Sequence, residues 1–127
     1  MWCQGIRGAT TARANTREEI IAATEELLQK MVEANRVEKE NIACVIFTTT
    51  PDLNAEFPAV AARQMGWTDT ALLCGHEMNV PGSLGRCIRI LLLYNTEQRA
   101  NGIIHVYLRE AQSLRPDAGN PGKKEGK

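Results

Sequence analysis

The segment that most restricts the fold is residues 42–50, Ile-Ala-Cys-Val-Ile-Phe-Thr-Thr-Thr. The run is almost continuously apolar and rich in β-branched side chains, and Pro51 follows it. Such a run indicates a strand covered on both faces, because a strand with one wet face would alternate apolar and polar residues. We therefore expect a sheet with this strand inside it, and Cys44 packed in the core.

A helix is predicted directly before this strand. Thr16 is placed to cap it, with Glu19 three residues further on, which is the capping-box pattern. Apolar residues then recur at helical spacing as far as about Asn35. A first strand is predicted from Trp2 to Ala9, so the chain begins as strand, helix, strand. Such a unit predicts a right-handed crossover between parallel strands.

The rest of the sequence predicts one more helix and three more strands. The helix begins near Pro58, which suits a first turn, and ends at Gly66, which suits a C-terminal cap. The strands are predicted at 70–74, at 87–95 and from 103 to about 114. The order β-α-β-α-β-β-β predicts an α+β (α/β-like) fold, with a mixed sheet and helices on one face. We expect one domain over residues 1–115 and a flexible tail over residues 116–127.

The charge balance argues against several classes of function. The 127 residues include 15 Lys and Arg and 15 Asp and Glu, so the formal net charge is zero. Nucleic-acid binding usually needs a basic face, and peripheral membrane binding a polybasic cluster. No segment approaches the roughly 20 apolar residues that span a bilayer, and the N-terminus lacks a signal-peptide layout. We expect a cytoplasmic protein with reduced thiols, and neither nucleic acid nor membrane as a partner.

Reactive side chains are concentrated in residues 72–89, between two apolar runs. A metal could be held by Cys74, His76, Glu77 and Cys87, but zinc sites favour closely spaced ligand pairs, which this segment lacks. A cysteine nucleophile would need an oriented base, and no pattern supplies one. The sequence has neither G-x-G-x-x-G nor a phosphate-binding loop. We therefore expect no metal and no cofactor.

Arginine supplies the remaining pattern. Four arginines lie near the ends of predicted elements or among small neighbours: Arg7, Arg63, Arg89 and Arg115. Each carries a permanent charge and a fork of donors that matches a carboxylate. Around one cleft they would bind a ligand with several carboxylates or phosphates, with Glu77 accepting from a ligand hydroxyl and Tyr107 adding a donor. The residues alone predict a polyanion pocket, and four independent surface arginines stay open as the alternative.

A set of short colinear segments extends from about Gly5 to Asp117. They are residues 5–11 (Gly-Ile-Arg-Gly-Ala-Thr-Thr), 50–53 (Thr-Pro-Asp-Leu), 57–59 (Phe-Pro-Ala), Arg63, Gly66-Trp67, Cys74 with Glu77-Met78, 87–89 (Cys-Ile-Arg), 105–108 (His-Val-Tyr-Leu) and 114–117 (Leu-Arg-Pro-Asp). Together these segments resemble a known family, the monofunctional chorismate mutases of the homotrimeric α/β class.

This resemblance implies an isomerase that rearranges chorismate to prephenate, on the route to phenylalanine and tyrosine. It also implies a homotrimer whose sheets form a pseudo α/β barrel, with an active site at each subunit interface. The reaction is a pericyclic rearrangement that moves no proton or hydride, which accounts for the missing nucleophile and nucleotide motifs. The alternative is a non-catalytic trimeric protein on the same scaffold that binds or senses a small anion.

The resemblance further assigns roles to individual residues. Arg89, Glu77 and Arg7 are implied as the catalytic set: Arg89 faces the ether oxygen, Glu77 and Cys74 meet the ring hydroxyl, and Arg7 binds a carboxylate. Tyr107 donates to a carboxylate. The other implied substrate contacts are the pocket walls and the mouth, formed by Phe57, Ala59, Leu72, Leu73 and Cys87, by Arg63 of the neighbouring subunit, and by Leu114 and Arg115.

Overall fold

Five strands and two α-helices make up the computed structural model, which describes residues 1–115. The strands are β1 (Trp2–Thr11), β2 (Ile42–Thr49), β3 (Leu72–His76), β4 (Cys87–Thr96) and β5 (Val106–Tyr107). The helices are α1 (Arg17–Asn35) and α2 (Ala59–Gln64), and 3₁₀ turns occupy Lys39–Asn41, Ala100–Gly102 and Arg109–Leu114. The predicted tail at 116–127 lies outside the described residues.

The strands form one mixed sheet in the order β3-β2-β4-β1-β5. Strand β4 runs antiparallel to both of its neighbours, β1 and β2, so β1 and β2 are parallel to each other with β4 between them. Strand β3 is parallel to β2, and β5 is parallel to β1. The predicted mixed sheet is confirmed. The C-terminal ends of β1, β2, β3 and β5 consequently meet at one edge, where β4 begins.

Helix α1 begins and ends where its sequence predicts. The Thr16 hydroxyl accepts a hydrogen bond from the Glu19 N–H at 3.2 Å, an interaction worth about 1 kcal/mol. Arg36 ends the helix in the left-handed conformation, with φ 51°, and donates its N–H to the Val32 carbonyl. No helix among residues 1–115 is long and apolar enough to cross a membrane.

The core lies between the two helices and one face of the sheet. The sheet contributes Ile6, Val45, Phe47, Ile90 and Leu92, and the helices contribute Leu27, Leu28, Met31, Ala59 and Ala62. The close approach of α1 requires glycine at position 8, because a Cβ there would overlap the Met31 Sδ. The helices therefore cover one face of the sheet, as predicted.

The other face of the sheet is uncovered in the single chain. Its residues Ile46 and Thr48 are half-buried, whereas Val45 and Phe47 of the same strand are buried. The prediction that β2 is covered on both faces is therefore wrong for one chain. Cys44 is also only half-buried, so its predicted place in the core is wrong. Successive side chains of β2 point to opposite faces of the sheet, so only every second residue reaches the core.

The fifth strand is much shorter than predicted. The sequence predicts a strand from 103 to about 114, but only Val106–Tyr107 pairs with β1, and Arg109–Leu114 forms a 3₁₀ helix. The last backbone contact with β1 is the Leu108 N–H donating to the Ala9 carbonyl at 2.9 Å. The next residue adopts φ 52° and turns the chain. The alternating pattern of residues 103–109 is strand-like, and this local turn overrides it.

Candidate active site

An open pocket of about 350 Å³ lies on the uncovered face, near the sheet edge where β4 begins. It is lined by Arg7, Gly8, Ala9, Ile46, Thr48, Glu77, Arg89, Ile90, Leu91, Tyr107 and Leu114. The structure thus brings together five of the predicted site residues, namely Arg7, Glu77, Arg89, Tyr107 and Leu114. These residues come from three strands, from the loop after β3 and from the last 3₁₀ turn.

Strand register places the charged and polar groups of the pocket. Ala9 of β1 pairs with Arg89 of β4 on one side and with Tyr107 of β5 on the other, and Arg89 pairs with Thr48 of β2. Directly paired residues project from the same face of a sheet. Tyr107, Ala9, Arg89 and Thr48 therefore form one row across four strands. The small Ala9 leaves space between the phenol and the guanidinium.

Glu77 and Arg89 form the electrostatic centre of this row. The Glu77 N–H donates to the Thr49 carbonyl at 2.8 Å, which fixes the residue just beyond β3. Its Oε2 lies 3.4 Å from the Arg89 Nε and also accepts from the Thr48 hydroxyl. The two side chains are 22% and 48% exposed, so this ion pair contributes little to stability, about 0–1 kcal/mol. Its consequence is positional, because it holds the Arg89 guanidinium at the wall of the pocket.

Arg7 lies one row further along the uncovered face, paired with Leu91. Its side chain is exposed, and its backbone N–H donates to the His105 Nδ1 at 2.9 Å. Burial, and then the positive charge of Arg7, hold the pKa of His105 below its ordinary value. The imidazole is therefore neutral at neutral pH, with Nδ1 as the acceptor.

The segment carrying Leu114 is clamped over the end of β1. The Arg109 Nη1 donates to the Thr11 carbonyl at 2.9 Å, and its Nη2 lies 3.1 Å from the Glu26 Oε1 on α1. Leu114 is half-buried at the pocket, and Arg115, at the end of the described chain, is exposed. One arginine thus ties three segments together and sets the position of the pocket's rim.

The other predicted site residues do not line this pocket in one chain. Phe57 and Cys74 line a second pocket of about 370 Å³, on the helix side of β3. Ala59 is 4% exposed in the core, and Cys87 is fully buried. Leu72 packs half-buried against the core, Leu73 is 65% exposed on the uncovered face, and Arg63 is exposed on α2.

Neither cysteine near the site has the properties of a nucleophile. Burial raises the pKa of Cys74, against smaller opposing effects of the Ala59 backbone and the Arg63 charge. Burial also raises the pKa of Cys87, with Arg89 opposing. Both are therefore neutral thiols at neutral pH, and the thiolate is the reactive form. Among residues 1–115, no group of three or more His, Cys, Asp or Glu side chains could hold a metal ion.

Two polar contributors to the site were not predicted from the sequence. Thr48, which donates to Glu77, lies in a run read only as a buried strand. The alternation of β2 could have placed it on the face of Ile46. His105, which accepts from Arg7, has no local signal, because its partner is 98 residues away in the sequence.

The fold and the pocket define a class: a small α+β domain whose uncovered sheet face carries an open pocket lined by two arginines, a carboxylate and a phenol. The type I chorismate mutase family model matches residues 3–118. The chain is 54% identical over 115 residues to the chorismate mutase AroH of Thermus thermophilus, covering 90% of this chain and 94% of that protein. It is 42% identical over 118 residues to AroH of Bacillus subtilis, covering 92% and 93%.

A solved structure agrees with these sequence matches. A chorismate mutase from Clostridium thermocellum superposes with a TM-score of 0.86 at 52% identity, covering 90% of this chain and all of that one. The chain therefore belongs to the type I chorismate mutase family. It is an isomerase that converts chorismate to prephenate in aromatic amino-acid biosynthesis.

Proposed function

We propose that the enzyme acts by electrostatic stabilisation of the transition state, without a covalent intermediate, and that Arg89, Glu77 and Arg7 are its catalytic residues. The observation that carries the proposal is the Arg89–Glu77 pair, held 3.4 Å apart in the uncovered pocket. In the reaction the ether carbon–oxygen bond breaks while a carbon–carbon bond forms. Negative charge grows on the ether oxygen, and Arg89 is the donor placed to meet it.

Preorganisation makes Arg89 effective. Glu77 and the strand register hold the guanidinium before the substrate arrives, so little reorganisation accompanies the reaction. A donor of this kind is worth about 2.7–4 kcal/mol in the transition state. The interaction strengthens as charge develops, so it lowers the barrier more than it tightens substrate binding.

Arg7 and Tyr107 bind the substrate carboxylates. They lie on the adjacent strands β1 and β5, two residues apart in register and so on the same face, and both line the pocket. Together with Arg89 they hold the flexible side chain over the ring, which is the near-attack geometry that the rearrangement needs.

Glu77 binds the ring hydroxyl. Its Oε2 already contacts Arg89 and Thr48, so Oε1 is offered to the substrate. Partial positive charge develops on the ring as the ether bond breaks, and the carboxylate stabilises it as well. Leu114 and Arg115 close over the mouth of the pocket.

We propose that the active protein is a homotrimer with one site at each subunit interface. Two observations support this assembly. The uncovered sheet face exposes large apolar side chains, including Leu73 and Leu91, as does the loop carrying Phe57. In addition, the implied site residues of one chain do not all lie together: Phe57, Arg63 and Cys74 are outside the pocket that contains Arg7. A neighbouring subunit supplies this second group, together with the exposed wall position Leu73, while Ala59 and Leu72 support that wall from the core and Cys87 lies behind Arg89.

A subunit-mixing experiment tests this arrangement. Arg7→Ala and Arg63→Ala are each expected to be nearly inactive as pure proteins, judged by chorismate absorbance. Unfolded and refolded together in equal amounts, they are expected to recover about one quarter of wild-type sites, since a heterologous interface pairs residues from different chains. A mixture no more active than its components, or a monomer by sedimentation, contradicts the interface site.

We further propose that residues 1–115 form the single catalytic domain and that the enzyme is cytoplasmic. The four free thiols of the described chain fit a reducing compartment. Truncation after Arg115 tests the first point, because the shortened chain should fold with an unchanged melting temperature. Cell fractionation tests the second.

A further inference from the structure

His105 joins the two carboxylate-binding groups of the pocket at the level of the backbone. Strand β5 pairs with β1 over only two residues, Gly8 with Val106 and Ala9 with Tyr107. One position earlier, the imidazole takes the place of a backbone acceptor: its Nδ1 accepts the Arg7 N–H at 2.9 Å. The contact therefore extends the short pairing of β5 with β1 by one position, to Arg7.

Uncharged groups hold the rest of the contact region between β1 and the start of β5. On the α1 side, Asn35 brackets Ile104, donating to its carbonyl at 2.9 Å and accepting its N–H at 2.8 Å. The charged group that acts on the imidazole from β1 is Arg7 itself. Within residues 1–115, no carboxylate is placed to stabilise a protonated His105.

We propose that His105 is a positioning residue for Arg7 and Tyr107, and that it performs this role only while its Nδ1 is unprotonated. The proposal rests on the carboxylate-binding roles given to those two residues above. His105 does not touch the substrate pocket. It acts by fixing the separation between β1 and the start of β5, and hence between the guanidinium and the phenol.

Protonation has a definite consequence at this contact. A protonated imidazole carries N–H on both nitrogens, so Nδ1 would face the Arg7 N–H as donor against donor. The pKa of His105 lies below its ordinary value of 6.5, so the neutral acceptor form is the one present at neutral pH. The stabilisation is therefore complete above pH 6.5 and is lost as the pH falls through the lower, folded-state pKa. Chorismate turnover should acquire an acidic limb in that range.

Three substitutions isolate the acceptor. His105→Asn places an amide oxygen where Nδ1 stood and does not titrate, His105→Gln places it one carbon further out, and His105→Leu removes it. We expect kcat/KM at neutral pH to stay near wild type for Asn and to fall about tenfold for Gln and Leu, mainly through KM, as loss of one hydrogen bond predicts. Profiles from about pH 5 to 8 should show that the His105→Asn enzyme lacks part of the acidic limb.

Several results would overturn the inference. One is a His105→Leu enzyme with the kcat/KM of wild type. Another is a His105→Asn enzyme that loses as much activity as His105→Leu. An acidic limb unchanged in His105→Asn would show that His105 is not the group that produces it, and would overturn the inference. If His105→Leu does not fold, as judged by circular dichroism, the comparison of His105→Asn with wild type across pH still decides.

Arg7→Ala separates this inference from the proposed site. If Arg7→Ala retains wild-type kcat/KM, the carboxylate-binding role fails, and the inference fails with it. If kcat/KM falls strongly in Arg7→Ala but stays at the wild-type value in His105→Leu, only the inference fails. Because His105 also positions Tyr107, adding His105→Leu to Arg7→Ala should cause a further loss smaller than the tenfold loss in the wild-type background, whereas a full additional tenfold loss would show that His105 does not act through Arg7.

Discussion

Replacing Arg89 with glutamine is the sharpest test of how this enzyme accelerates its reaction. The change removes the charge and the fork of donors while keeping a polar side chain beside Ala9 and Thr48. It also leaves Glu77, whose Oε2 lies 3.4 Å from the Arg89 Nε, without that cation. The pocket edge that should meet a developing negative charge then carries a carboxylate alone.

The structure sets the expected size of the effect. A preorganised donor contributes about 2.7–4 kcal/mol to the transition state, so kcat should fall about 10²- to 10³-fold. The Michaelis constant should change much less, because the charge on the ether oxygen appears only as the bond breaks. The Arg89 side chain is 48% exposed, so its ion pair should cost no more than about 1 kcal/mol of stability. The fold should therefore survive.

The assay follows chorismate absorbance over a range of substrate concentrations, with thermal unfolding measured on the same samples. Arg89→Lys keeps the charge but not the fork, and it should recover part of kcat. Arg36→Gln, the same chemical change at the exposed end of α1, should leave kcat and KM unaltered. If Arg89→Gln retains kcat within about threefold, or loses only substrate affinity, electrostatic stabilisation by Arg89 is refuted.

Three further predictions concern other parts of the chain. Glu77→Gln should lower kcat by about 10- to 100-fold, the range for a hydrogen bond to a charged group, and an effect on KM alone would reduce Glu77 to a binding group. Cys74→Ser and Cys87→Ser should each keep most of the activity, because burial raises the pKa of both thiols and they act as neutral walls; total loss in both variants would revive a thiol mechanism. Gly8→Ala should destabilise the fold by about 1–3 kcal/mol through overlap with Met31, seen as a lower melting temperature. An unchanged melting temperature would show that α1 can shift without cost.

The predictions that rested on local sequence signals agree best with the structure. Helix α1 is predicted to both of its ends because its cap and its apolar spacing lie within the helix itself. The predicted length of the fifth strand was wrong. Its alternating pattern is also a local signal, but the end of the strand depends on the contacts that Arg109 makes with Thr11 and Glu26, which are distant in the sequence. The uncovered face of β2 could not be read from composition, since an apolar residue gives no indication of whether its partner lies in the same chain.

The sequence by itself determined the chemistry that this protein could use: arginines, one carboxylate and one phenol, without a nucleophile, nucleotide or metal motif, in blocks that resemble chorismate mutases. The tertiary structure decided which of these groups meet. Arg7, Glu77, Arg89 and Tyr107 lie up to 100 residues apart and come together only because β4 inserts between β1 and β2 and β5 adds to the edge. The physical reason is that side-chain type is a property of each residue, whereas strand pairing and register are set by the burial of the whole sheet.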